Sequence, residues 1–178
     1  MKNTTRDVEK ISVKTILLYF LKIQLCILIT LFISIPLITL IRFFTDVRVV
    51  QDLILGILGV VIEFFTLLFM FSKEKVNDRS LKCSYMIKNT SLALIPHFVL
   101  SLCFQFYIYV AGTGVSQLGC VWGSHLAGKY LEDQRDVPFY TFVVLMIPMM
   151  ALIVLSSYLG YMRGNNIIQK NRSDFFKK

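Results

Sequence analysis

The chain has 178 residues, 56% of them hydrophobic, and a mean hydropathy of +0.66. A soluble globular domain of this length is markedly more polar, so that class is excluded. The formal net charge of +8 does not mark a nucleic-acid binder, because the basic residues bracket apolar blocks.

Residues 1–14 form a basic segment with Lys2, Arg6, Lys10 and Lys14. Its charged region is long, the apolar run behind it exceeds a signal-peptide core and no small-x-small site follows, so we expect the first helix to be retained. About 20 largely apolar residues cross the hydrocarbon core of a bilayer. Four blocks meet that length, Thr15–Ile41, Val49–Ser72, Ser91–Ala111 and Val137–Met162. They predict an all-α integral membrane protein, a four-helix transmembrane bundle occupying residues 15–162. The first block is longer than a span requires, which predicts tilt or a bend near Pro36.

The connection Lys73–Asn89 is polar and basic, and its ends could extend the flanking helices by a turn or two. The connection 112–138 is too long for a tight turn. Val115, Leu118, Trp122, Leu126 and Tyr130 recur at three- and four-residue spacing, which predicts a short interfacial helix with Trp122 and Tyr130 as anchors. Five glycines weaken that helix and keep a re-entrant segment open as the rival. Cys120, His125, Glu132 and Asp133 lie there without metal-ligand spacing, so no metal site is expected. Pro138 is expected to start the last helix. The basic tail 163–178 is expected to fray after Gly164.

Charge sets the orientation. Fourteen Lys and Arg residues fall before the first block, between the second and third, and after the fourth; four fall in the other two connections, and Lys22 lies inside a block. The positive-inside rule then predicts that both termini are cytoplasmic. The same clusters would meet anionic headgroups on that side. The sequons at Asn3, Asn89 and Asn171 would then face the cytoplasm or its boundary and are read as chance matches.

Polar residues inside the blocks are the candidate functional groups. Counted from the predicted span ends, Lys22 lies roughly 10 Å deep, Glu63 roughly 13 Å and His97 roughly 9 Å. Ser156, Ser157 and Tyr158 come to a similar depth, so four helices would bring polar groups to one layer. Gly56, Gly59 and Glu63 share a helical face, as do His97, Ser101 and Gln105, and Ser156, Gly160 and Gly164. Small and polar residues line the faces that pack against other helices in membranes. The expected polar cluster is therefore Lys22, Glu63, His97, Ser101, Gln105 and Ser156, with Gly56, Gly59, Gly160 and Gly164 as packing positions.

A carboxylate in mid-bilayer costs about 2.5–3.5 kcal/mol on insertion scales. Glu63 could pair with Lys22, stay protonated, or line a water-filled path with His97. Lys22 could instead snorkel to the interface, and His97 could donate to a carbonyl freed by Pro96. Gln24 lies about 200° around the helix from Lys22, so the two cannot share a partner.

No HExxH, GxSxG, P-loop or CxxC pattern occurs, and the chain has two histidines; neither an enzyme nor a cofactor is expected. The aromatic-rich spans and the GxxxG pairs Gly119/Gly123 and Gly160/Gly164 fit an interaction or accessory subunit that assembles with itself or with a larger membrane complex. The alternative is a small homo-oligomeric proton- or cation-coupled transporter or channel built on Lys22, Glu63 and His97. The Lys-, Ile- and Phe-rich composition is compatible with a low-GC bacterium and hence a plasma membrane.

Overall fold

The computed structural model describes residues 12–44, 48–111 and 139–175. These form four helices: α1 (Val13–Phe44), α2 (Arg48–Asn77), α3 (Cys83–Ala111) and α4 (Phe139–Phe175). No strand occurs among the described residues. The expected interfacial helix, with Trp122 and Tyr130, lies outside them.

Three stretches are long and apolar enough to cross a membrane, Val13–Thr30 in α1, Cys83–Cys103 in α3 and Met146–Asn171 in α4. The described residues are thus all-helical, and the three apolar helices fit an integral membrane protein. Their outward faces agree, because Leu17, Leu21 and Leu25 on α1, Ile95 and Val99 on α3, and Ile147 and Leu155 on α4 all stand exposed. Water would penalise so much uncovered apolar surface, whereas acyl chains accept it.

The helices run past the apolar blocks. α2 continues through Lys73–Asn77, α3 begins eight residues before Ser91, and the expected fraying after Gly164 gives way to helix as far as Phe175. Hydropathy marks where a chain becomes polar, not where its backbone hydrogen bonds stop. The α2–α3 connection shrinks to Asp78–Lys82. There the Asp78 carboxylate accepts from the Ser80 N–H and hydroxyl at 3.0 and 2.6 Å, and the Leu81 N–H donates to the Asp78 carbonyl at 3.2 Å. Such side-chain-to-backbone bonds are how short polar residues turn a chain.

The helices contact one another in a ring, α1 to α2 to α4 to α3 and back to α1. Between them lie Tyr19, Ile23 and Ile27 of α1, Leu67 and Phe71 of α2, Met86 and Ala93 of α3, and Ile153 of α4. In α1 and α2 they recur at four-residue spacing, which gives each of these helices an inward stripe.

Residue pairs fix the register. Lys22 meets Glu74 and Cys26 meets Met70, so α1 and α2 run antiparallel. Gly160 meets Phe71 and Gly164 meets Lys75, so α2 and α4 run parallel. The starts of α1 and α3 and the ends of α2 and α4 therefore share one end of the structure, which carries Lys14, Lys73, Lys82, Arg163 and Lys170 on its exposed surface.

Candidate functional site

At the basic end every buried charge has a partner. Lys22 Nζ lies 2.8 Å from Glu74 Oε2, in a pair with 28% and 19% of the side chains exposed, and 5.0 Å from the centre of the Tyr19 ring. Lys75 is 4% exposed. Its ammonium donates to the carbonyls of Arg79 and Leu81, both at 2.7 Å, and stands 4.9 Å over the Tyr161 ring. A lysine is tolerated here because its three donors are aimed at two carbonyls and a π face. Lys75 thus ties the end of α2 to the turn that leads into α3.

The same end holds a close contact between α2 and α4. A Cβ built on Gly160 would stand 2.7 Å from Phe71 Cβ and 2.9 Å from the Leu68 carbonyl oxygen; on Gly164 it would stand 2.7 Å from Lys75 Cβ and 2.8 Å from the Ser72 carbonyl oxygen. Only hydrogen fits at either place, which lets the two backbones close on each other. Gly59 is buried in α2; the surroundings of Gly56 lie outside what is described.

The expected single polar layer splits into two levels. Lys22 takes Glu74, not Glu63, as its carboxylate. Eleven residues of α2 separate the two acids, about 16 Å along the axis at 1.5 Å per residue. Depths counted from Ser72 put Lys22 and Glu63 level; α2 continues to Asn77, and the helix offset follows the true register. His97 pairs with α1 at a position two residues from Lys22, its Nδ1 lying 3.0 Å from Gln24 Nε2. The carbonyl freed by Pro96 is not the partner of this nitrogen. Gln24 and Lys22 point to different helices, as their angular separation requires.

The buried hydroxyls bond largely within their own helices. Thr30 donates to the Cys26 carbonyl at 3.0 Å, Thr90 to Met86 at 2.9 Å, Ser101 to His97 at 2.9 Å, and Ser156 and Ser157 to Ile153 and Val154 at 2.7 Å each. Such a bond lets a hydroxyl sit in an apolar interior without bridging two helices. The side chain of Gln105 lies outside what is described.

Glu63 stands apart. It is 4% exposed, and among the described residues it has neither an ion-pair nor a hydrogen-bond partner. It lines a slit between α2 and α4 with Val60, Phe64, Leu67, Met149, Leu152 and Ile153. The slit has a volume of about 10 Å³, the threshold at which a single water enters. Glu63 is also at the midpoint of α2, with 15 residues before it and 14 after it in the helix.

Glu74 and Lys75 were missed in the sequence because they read as loop. The polar run Asn77-Asp78-Arg79-Ser80, placed as it is, signals the turn and so returns both residues to the helix. Comparison with protein-family models, with curated proteins and with solved structures found no match to this chain.

Proposed function

We propose that the chain is a four-span plasma-membrane protein with both termini cytoplasmic, and that it serves as an interaction or accessory subunit, assembling with itself or with a larger membrane complex. The fourth span is α2, whose Ile57, Val61, Phe65 and Phe69 stand exposed in one stripe like the faces of the other three. The basic end is the cytoplasmic one by the positive-inside rule. There Arg163 stacks 4.1 Å over the exposed Phe69 ring, at the height where cations meet anionic headgroups.

The observation that carries the accessory reading is the sealed basic end. Gly160 and Gly164 bring α2 and α4 into backbone contact, and Lys75 closes the α2–α3 turn beside them. A substrate path through a single chain would have to pass this end, where local bonds and close packing occupy the α2–α4 seam and the α2–α3 turn. The extensive apolar outer faces remain for partners.

The test is purification into lipid nanodiscs, with mass measurement and a flux assay on the same preparation in proteoliposomes. An accessory subunit gives a discrete assembly and no proton or cation flux above empty vesicles. Flux that disappears in Glu63→Gln, with the fold retained, establishes the second reading, a homo-oligomeric coupled transporter or channel. The unpartnered Glu63 is the observation that favours it.

A further inference from the structure

The α2–α4 seam changes character along its length. At its basic end the glycines close it; seven to eleven residues before Gly160 α4 presents Met149, Leu152 and Ile153 in place of glycine, and a slit lies between the helices. The gap is where Glu63 sits. Val60, Phe64, Met149 and Leu152 around it are half-buried, so the slit opens sideways along the seam and does not end inside the packed core.

The chemistry of the lining selects what the carboxyl can bind. A metal cation needs several oxygen ligands, and Glu63 is the one residue of the lining that carries a side-chain oxygen. An organic ammonium needs more room than one water. The charged and titratable groups facing this level are few. α4 contributes none to the slit. On α1 Cys26 is within electrostatic reach, while Lys22 is committed to Glu74 about 16 Å further along. On α3 His97 is paired with Gln24. What remains is the smallest cation.

We propose that Glu63 is a reversible proton-binding site at the middle of the bilayer, reached from the lipid side through the α2–α4 slit. The inference rests on α2 crossing the membrane, as proposed above, and holds for either reading of what the protein does. It has a chemical consequence. A neutral carboxylic acid open to lipid reacts with a lipophilic carbodiimide. The acid's proton passes to a carbodiimide nitrogen as the carboxyl oxygen bonds to the central carbon. The acyl group then migrates from that oxygen to nitrogen, breaking the bond between the acyl carbon and the oxygen; the oxygen stays on the former carbodiimide carbon as the urea carbonyl, and the N-acylurea forms with nothing lost. Ionised carboxylates in salt bridges are poor substrates, which makes Glu74 an internal control.

The full chain in nanodiscs is treated with dicyclohexylcarbodiimide over a series of buffers, and separately with a water-soluble carbodiimide plus glycine ethyl ester. Modified residues are then located by peptide mass. The expected result is one lipophilic adduct at Glu63, falling by about tenfold per pH unit once the acid has titrated. Glu63→Asp retains the adduct and Glu63→Gln loses it, both with helical content intact. Absence of the adduct in folded protein at every pH overturns the site while leaving the placement of α2 standing. A yield indifferent to pH also overturns it. Modification of Glu63 by the water-soluble reagent places the residue in contact with water and overturns access from the lipid side.

Discussion

Two regions of one helix bury charge in opposite ways. At the end of α2, Glu74 and Lys75 are satisfied by Lys22, by two backbone carbonyls and by an aromatic face. Three turns earlier Glu63 is more deeply buried than Glu74 and has only apolar neighbours in its slit. The first region shows that partners, once arranged, let charge become part of the packing. The second shows a group whose burial is not offset by any partner among the described residues.

Filling the closed part of the seam is the most damaging way to break this contrast. In Gly160→Leu the new Cβ starts 2.7 Å from Phe71 Cβ, before the rest of the side chain is placed. Overpacking of this kind should cost about 3 kcal/mol, read as a lower midpoint in denaturing-detergent titration and loss of the assembled species. Next is Lys75→Met, which keeps the stem and removes the donors to Arg79 and Leu81. Loss of these charge-assisted bonds should cost about 2 kcal/mol. The turn reports it directly, since Arg79 is exposed and tryptic cleavage after it should accelerate in the variant.

These two variants also mark what the sequence made legible. The apolar blocks located all four helices, because length and hydropathy are local properties of the chain. The pair Gly160/Gly164 was visible as a small-residue face, and its partner helix was not. Register was the quantity that could not be read. It depends on where helices end inside the structure, and α3 starts eight residues before its apolar block does. Lys22, level with Glu63 when depth is counted from the ends of the apolar blocks, pairs in the fold with Glu74, three turns further along α2. Angular arguments survived better than depth arguments: the separation of Gln24 from Lys22 is a property of one helix, and the two do reach different partners. Glu74 and Lys75 were hidden because hydropathy assigns charge to loops, whereas a lysine that caps a turn extends the helix it leaves.

The sharpest form of the comparison is also its smallest effect, the same substitution at the two acids. Glu74→Gln removes the negative member of the Lys22 pair and leaves the ammonium with a neutral amide. The pair is partly exposed, which discounts its strength, so the loss should be about 1 kcal/mol and shrink with added salt. Lys22→Met should cost a similar amount, and combining the two should cost much less than their sum, because each single change already breaks the pair. Glu63→Gln behaves differently. A neutral carboxylic acid and a primary amide have nearly the same shape, and the slit offers no cation to lose, so unfolding should shift by less than about 0.5 kcal/mol. A loss at position 63 as large as that at position 74 would show that Glu63 has an ionic partner after all. A negligible loss leaves a buried acid that the fold does not need, and places the reason for its presence in what it binds.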